Sequence, residues 1–257
     1  MSQLTAKSDI PVLYKQNTTN DLFQLIYVFD MGNNNDKALG TAFDYLEYLG
    51  TSDMTPEELK SEFYRLACTF YVSPGNERTY VVLSGLNENM PAAMQLFEKL
   101  LADAQVNKEA YNNLVGDILK ARADAKLNQG QNFSRLMNYA MYGPKSPATN
   151  LLTEAELASM NPQELVDQIH NQNNYKHRIL YYGPSSSKDL LATIDQYHQV
   201  PATLKDIPAG NEFSYLETPA TKVLVAPYEA KQIYMAQISN LDKKYDPAIE
   251  PTRELYN

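Results

Sequence analysis

Gly40-Thr41-Ala42-Phe43-Asp44-Tyr45-Leu46-Glu47-Tyr48-Leu49-Gly50-Thr51 is the stretch that decides how this chain is read. As a helix it sets Asp44, Glu47 and Tyr48 at i, i+3 and i+4, hence on one face. Upstream, 12–16 and 22–31 read as two strands joined by an Asn-Thr-Thr-Asn turn, the second apolar on both alternating faces, as a central strand covered on two sides would be. Downstream, Thr55-Pro56-Glu57-Glu58 carries a capping residue, a proline at the first helical position and an early glutamate, a strong helix start. That helix is expected to end near Ala67, with Cys68 in its buried end.

Farther out, strands are expected at 69–73 and 79–86 around the turn Pro74-Gly75-Asn76. Met94, Phe97, Leu100 and Leu101 stand at core spacing in a helix from Pro91 to about Ala104. Residues 107–142 continue as helix with a break near Asn128-Gln129-Gly130. Thr153 and Asn161 each open a capping box, 178–183 forms a strand, and Ser186 caps a helix running to about His198. The segment 199–221, with Pro201, Pro208, Gly210 and Pro219, has the makeup of a linker. Beyond it 222–228 and 232–240 read as a hairpin, and Glu254-Leu255-Tyr256-Asn257 as a newly begun helix. This order predicts an α+β fold, a largely antiparallel mixed sheet with helices packed on it. No repeat of 20–50 residues is visible.

The chain has 257 residues, enough for one large core, or one domain and part of a second. With 44% apolar residues it is no disordered chain. A net charge of −9 argues against nucleic acid and against anionic membrane surfaces. No run of 18 apolar residues exists, so no membrane insertion by this segment is expected. The first residues lack the basic-then-apolar order of a signal peptide and read as an artificial start. Both ends suggest a piece cut from a longer protein. The compartment stays open, the periplasm or cell envelope being compatible with a bacterial parent.

The order of elements resembles the pitrilysin/insulinase family of zinc metallopeptidases, in which two homologous halves, each of two α+β domains, close around a peptide. The resemblance rests on Gly40 to Thr51, the Thr-Pro-Glu-Glu-Leu helix, the strands around Tyr80 to Leu86, and Leu119-Lys120-Ala121-Arg122-Ala123-Asp124. Such inverted zincins bind zinc through His-x-x-Glu-His, two imidazoles one turn apart with a glutamate base between them. Here those places hold Asp44, Glu47 and Tyr48, and the family's downstream glutamate ligand corresponds to Asp117. The base position survives while two ligands are replaced. The resemblance therefore implies a non-catalytic C-terminal half with a degenerate motif. Residues 1–205 would be its first domain, and 206–257 a linker with the start of the next homologous domain.

It further implies no catalytic, metal-binding or cofactor-binding residue in this piece, with zinc in the other half of the parent protein. The implied partners are a peptide or unfolded polypeptide substrate and the catalytic half, on the same chain or a homologous subunit. An inactive scaffold of the same fold is the alternative. The family's substrate-holding arginine and tyrosine would lie past Asn257.

For Asp44, Glu47, Tyr48 and Asp117, a hard-cation site stands against solvated remnants of an abandoned site. The remnant reading is favoured because Ca²⁺ and Mg²⁺ need more oxygen donors. His170, His177 and His198 lack ligand spacing, and Cys68 reads as an inert core thiol. Gly-x-Ser-x-Gly is absent, and Ser185-Ser186-Ser187 reads as a helix cap. The strand tyrosines Tyr14, Tyr27, Tyr71, Tyr80, Tyr181 and Tyr182 suit sheet filling better than a binding surface.

Overall fold

The computed structural model describes residues 1–229, 232–240 and 247. The chain divides into two compact units, Met1–Ala121 with Asn150–Glu212, and Arg122–Thr149 with Phe213–Asn257. The first unit is built on a six-stranded sheet. Its strands are β1 (Ser2–Ala6), β2 (Ile10–Gln16), β3 (Leu22–Phe29), β4 (Cys68–Pro74), β5 (Thr79–Leu86) and β6 (His177–Gly183), in spatial order β1-β2-β6-β3-β5-β4. All pairs are antiparallel except β2 with β6, so the sheet is mixed and largely antiparallel, as expected.

The helices follow as α1 (Leu39–Leu46), α2 (Pro56–Arg65), α3 (Met90–Asp103), α4 (Lys108–Lys126), α5 (Gln129–Tyr142), α6 (Glu154–Ser159), α7 (Pro162–Asn171) and α8 (Ser187–Tyr197). α1 packs against β4, α3 against β4 and β5, α8 against β1, and α7 against both α1 and α3. The core spacing in α3 is realised, with Met94, Phe97, Leu100 and Leu101 all buried. Thr55 and Glu58 exchange both bonds of a capping box at the start of α2, the two orphan donors there being satisfied reciprocally.

Several expectations are corrected. β2 and β3 do not pair with each other, because β6 enters between them and binds β2 in parallel register from Val12↔Ile179 to Gln16↔Gly183. β3 is central but is covered on one side. Phe23, Leu25, Tyr27 and Phe29 are buried under the helices, whereas Leu22, Gln24 and Ile26 on the other face keep solvent contact. Cys68 begins β4 rather than ending a helix, and its burial pushes the thiol pKa up. Asn161 caps α7 by accepting from Gln163 N, without the reciprocal bond of a capping box.

β1 is a strand that Ser2-Gln3-Leu4-Thr5-Ala6 does not announce. It buries only Ala6 fully and is held by backbone pairing to β2. In the second unit, α5 is joined to the segment after Glu212 by Leu216 N donating to Met141 O at 2.7 Å and by the stacked rings of Tyr142 and Tyr215. Among the described residues, 222–229 and 232–240 contain no strand, so the expected hairpin is not formed there. The expected helix at 254–257 lies outside the described residues.

Candidate functional site

α1 buries Leu39, Ala42, Phe43, Tyr45 and Leu46 and turns Asp44 outward. Its regular hydrogen bonding ends at Leu46. Tyr48 N then donates to Tyr45 O at 3.0 Å and Leu49 N to Leu46 O at 3.1 Å, so the last turn tightens to i, i+3 bonding. Tyr48 therefore lies in a tightened turn beyond the regular helix, although Asp44, Glu47 and Tyr48 all face solvent. The turn that follows needs glycine at Gly50, where a Cβ would lie 2.3 Å from Met54 O.

Partial burial, and then the neighbouring Glu47 carboxylate, raise the pKa of Asp44. Asp117 lies on the exposed side of α4, whose buried Tyr111 meets Tyr45 edge-on at 5.7 Å. The Tyr45 hydroxyl donates to Asn107 O at 2.6 Å and accepts from Asn107 N at 2.8 Å, which docks the start of α4 beside α1. Among the described residues, no three His, Cys, Asp or Glu side chains converge into a metal-holding group, and this includes Asp44, Glu47 and Asp117. A shallow groove of about 620 Å³ runs past Leu22, Phe23, Tyr64, Cys68 and Gly85, and none of the four motif-position side chains lines it.

The strand tyrosines divide between the two sheet faces. Tyr14, Tyr27 and Tyr181 are buried, while Tyr71, Tyr80 and Tyr182 are exposed on the uncovered side. Register places Leu13, Leu180, Ile26, Val82 and Tyr71 in one row across five strands of that side. Beyond this row, Asp30 holds both Arg78 and Arg178, and the Arg178 bond above all draws the carboxyl pKa down.

A buried polar cluster escaped the sequence reading. Glu98 on α3 is fully enclosed and accepts from the Tyr27 hydroxyl at 2.9 Å, Asn173 Nδ2 at 2.9 Å and Gln199 N at 3.0 Å. His198 Nδ1 lies 2.6 Å from the same carboxylate, and His198 Nε2 lies 2.8 Å from His177 Nε2. Two histidines 21 residues apart in sequence thus become bonded neighbours. The available signal was Glu98 itself, an acid one turn after Met94 on the buried face of α3. Burial and the adjacent His198 hold the His177 pKa down at about 4, and burial followed by Glu98 pushes that of Tyr27 well up. His170 stands apart, with Nε2 3.1 Å from Ala104 O.

No protein-family model and no curated protein matches the sequence. Solved structures do match. The periplasmic protease PqqL from Escherichia coli superposes with a TM-score of 0.72 over 86% of this chain and 25% of that one, at 16% identity. The fold is that of the M16-type peptidases. A peptidase M16 inactive domain from Pseudomonas fluorescens gives 0.65 over 81% of this chain and 53% of that one, at 16% identity. A variant of the ferredoxin protease FusC, in complex with Arabidopsis ferredoxin, gives 0.70 over 83% and 24%, at 12% identity. The chain thus spans about a quarter of the two proteases and about half of the inactive domain's chain. Among its described residues no helix is long and apolar enough to cross a membrane.

Proposed function

We propose that this chain is part of the non-catalytic half of a zinc metallopeptidase of M16 type, a wall of the chamber that encloses unfolded polypeptide. The observation that carries the reading is the α1 face. In an M16-type fold, the helix that resembles the zinc-binding one presents Asp44, Glu47 and Tyr48 to solvent and offers no imidazole. The likeness to a peptidase M16 inactive domain supports the same assignment.

That donor set does not fit zinc. A catalytic zinc site takes three convergent ligands with imidazoles prominent, whereas here the carboxylate of Asp44 stands on α1 and the phenol of Tyr48 on the tightened turn after it, and Asp117 joins them in no metal-holding group. No hydrolytic step is therefore assigned to these residues. The chain's part is to enclose and orient substrate, so that water activated in another half meets an ordered peptide bond. PqqL and FusC are proteases, and the substrate class proposed here is accordingly polypeptide.

Residues 206–257 are proposed to open the next domain. Val223 and Val225, and likewise Ile233 and Met235, stand 76–93% exposed in the short apolar runs Val223-Leu224-Val225 and Ile233-Tyr234-Met235, as strand segments without their sheet would. The test is to incubate the purified chain with a labelled, unstructured peptide. Retention of the peptide with no cleavage supports the proposal. Cleavage that a chelator abolishes overturns it.

A further inference from the structure

We propose that Glu98, His198 and His177 form an acid-released latch, closed while the two rings share one proton between them and opened when a second proton arrives. The released element is the root of the segment that leaves α8. This inference concerns a cluster outside the degenerate motif and does not depend on the proposed chamber role.

Hydrogen-bond partners fix the proton positions. His177 Nδ1 lies 2.7 Å from the Tyr175 carbonyl, which only accepts, so Nδ1 carries hydrogen and Nε2 presents its lone pair. His198 Nε2 must then donate across the 2.8 Å gap. Glu98 accepts from Asn173, Gln199 and Tyr27, and its Oε1 shares a hydrogen bond with His198 Nδ1. The proton between Glu98 and His198 Nδ1 can sit on either atom, and in both forms His198 Nε2–H donates to His177 Nε2. A further proton has one basic nitrogen to occupy in these rings, His177 Nε2. There it would set two N–H groups nose to nose across the 2.8 Å gap.

Nothing nearby relieves that conflict. Glu98 and His198 are 0% exposed and His177 7%, so water does not screen the pair. The other polar or titratable groups facing the cluster are Tyr27 from β3 and Asn173 from the turn after α7, with the Phe29 ring 4.7 Å from that of His177. The flanking cations are occupied elsewhere, Lys176 by Asp206 and Arg178 by Asp30. The low pKa of His177, about 4, agrees with a site that resists this proton until the medium is acidic.

The latch has a defined load. His198 and Gln199 bind Glu98 directly, and Lys205 brackets the same Asn174–Lys176 turn whose Tyr175 carbonyl orients His177. Rotating His177 therefore loosens both ends of the 198–205 stretch. Beside it the polar packing is already incomplete. Both amide atoms of buried Gln172 and the Oδ1 of Asn173 have no hydrogen-bond partner.

The test is hydrogen exchange of the full 257-residue chain at pH 7.5 and 4.5, corrected for intrinsic rates. Peptides spanning 194–204 should gain on the order of 50-fold in open population on acidification, while Val81–Leu83 of β5 stay protected. His177→Gln keeps an acceptor for His198 Nε2 but takes up no proton, and should remove the gain. Imidazole ¹⁵N spectra of the wild type provide a second reading that needs no variant. They should show His177 with hydrogen on Nδ1 and His198 with hydrogen on Nε2 at pH 7.5, and proton uptake by His177 in step with the exchange gain. An equal gain in His177→Gln, a parallel rise throughout β5, or hydrogen on His177 Nε2 at pH 7.5 would each overturn the latch.

Discussion

Replacing Glu98 with glutamine should destabilise the first unit by about 3 kcal/mol at pH 7.5. The carboxylate accepts four hydrogen bonds in a site closed to water, from Tyr27, His198, Asn173 and Gln199. A glutamine of the same shape accepts on one end only. With its oxygen toward Tyr27 and His198, its amide meets two donors. Asn173 escapes by flipping, because its own Oδ1 has no partner and can turn to accept. Gln199 N–H has no such escape, and an unpaired buried donor costs about 1–3 kcal/mol. The lost carboxylate beside His198 adds to this, removal of one member of a buried pair costing about 3–5 kcal/mol where both are charged. Urea unfolding followed by circular dichroism reads the change. A midpoint shift of about 1 M is expected for a slope of about 3 kcal/mol/M. A loss below about 0.5 kcal/mol would refute the argument, since it would mean that the cluster is hydrated or neutral in solution.

Acidification offers a related test in the wild type. His177 has a folded pKa of about 4, below its unfolded value, so the unfolded chain binds more protons between those limits. Its stability contribution is intact above about pH 6.5 and falls as the pH drops toward 4, by about 2 kcal/mol at pH 5. From urea titrations at pH 7.5 and 5, the loss of unfolding free energy on acidification should be about 2 kcal/mol larger in the wild type than in His177→Gln. Gly85→Ala should lower the thermal midpoint through a loss of at least about 2 kcal/mol. The residue sits at φ +152°, and its Cβ would lie 2.4 Å from Ala67 O. Thr55→Ala removes the α2 capping box and should cost about 1 kcal/mol by chemical denaturation.

Much of the fold could be read along the chain because its signals are local. Thr55-Pro56-Glu57-Glu58, the Pro74-Gly75-Asn76 turn, and the break at Asn128 each act within a few residues, and each stands where expected. The resemblance carried the fold family, and the solved structures bear that out. Long-range choices were not legible. Nothing between 12 and 31 says that a strand from residue 177 onward will enter between β2 and β3. The apolar alternation of β3 likewise gave no sign of which face would lack helices. β1 is held by backbone pairing, which leaves little trace in side chains.

At the candidate site, the positions of Asp44, Glu47 and Tyr48 were readable, since helix spacing is a local property. The tightened turn at Tyr48 was not, because the same residues suit i, i+4 and i, i+3 bonding at a helix end. The Glu98 cluster was hidden for a different reason. His177 and His198 have no ligand spacing, and their juxtaposition depends on β6 and α8 both folding onto α3.

On the proposed reading, α1 and the turn after it hold no zinc in an M16-type fold. Dialysis of the purified chain against micromolar zinc, followed by metal analysis, tests it most directly. Far less than one zinc per chain is predicted, with no change on Asp117→Ala. One zinc per chain, lost in Asp44→Ala or Asp117→Ala, would contradict it.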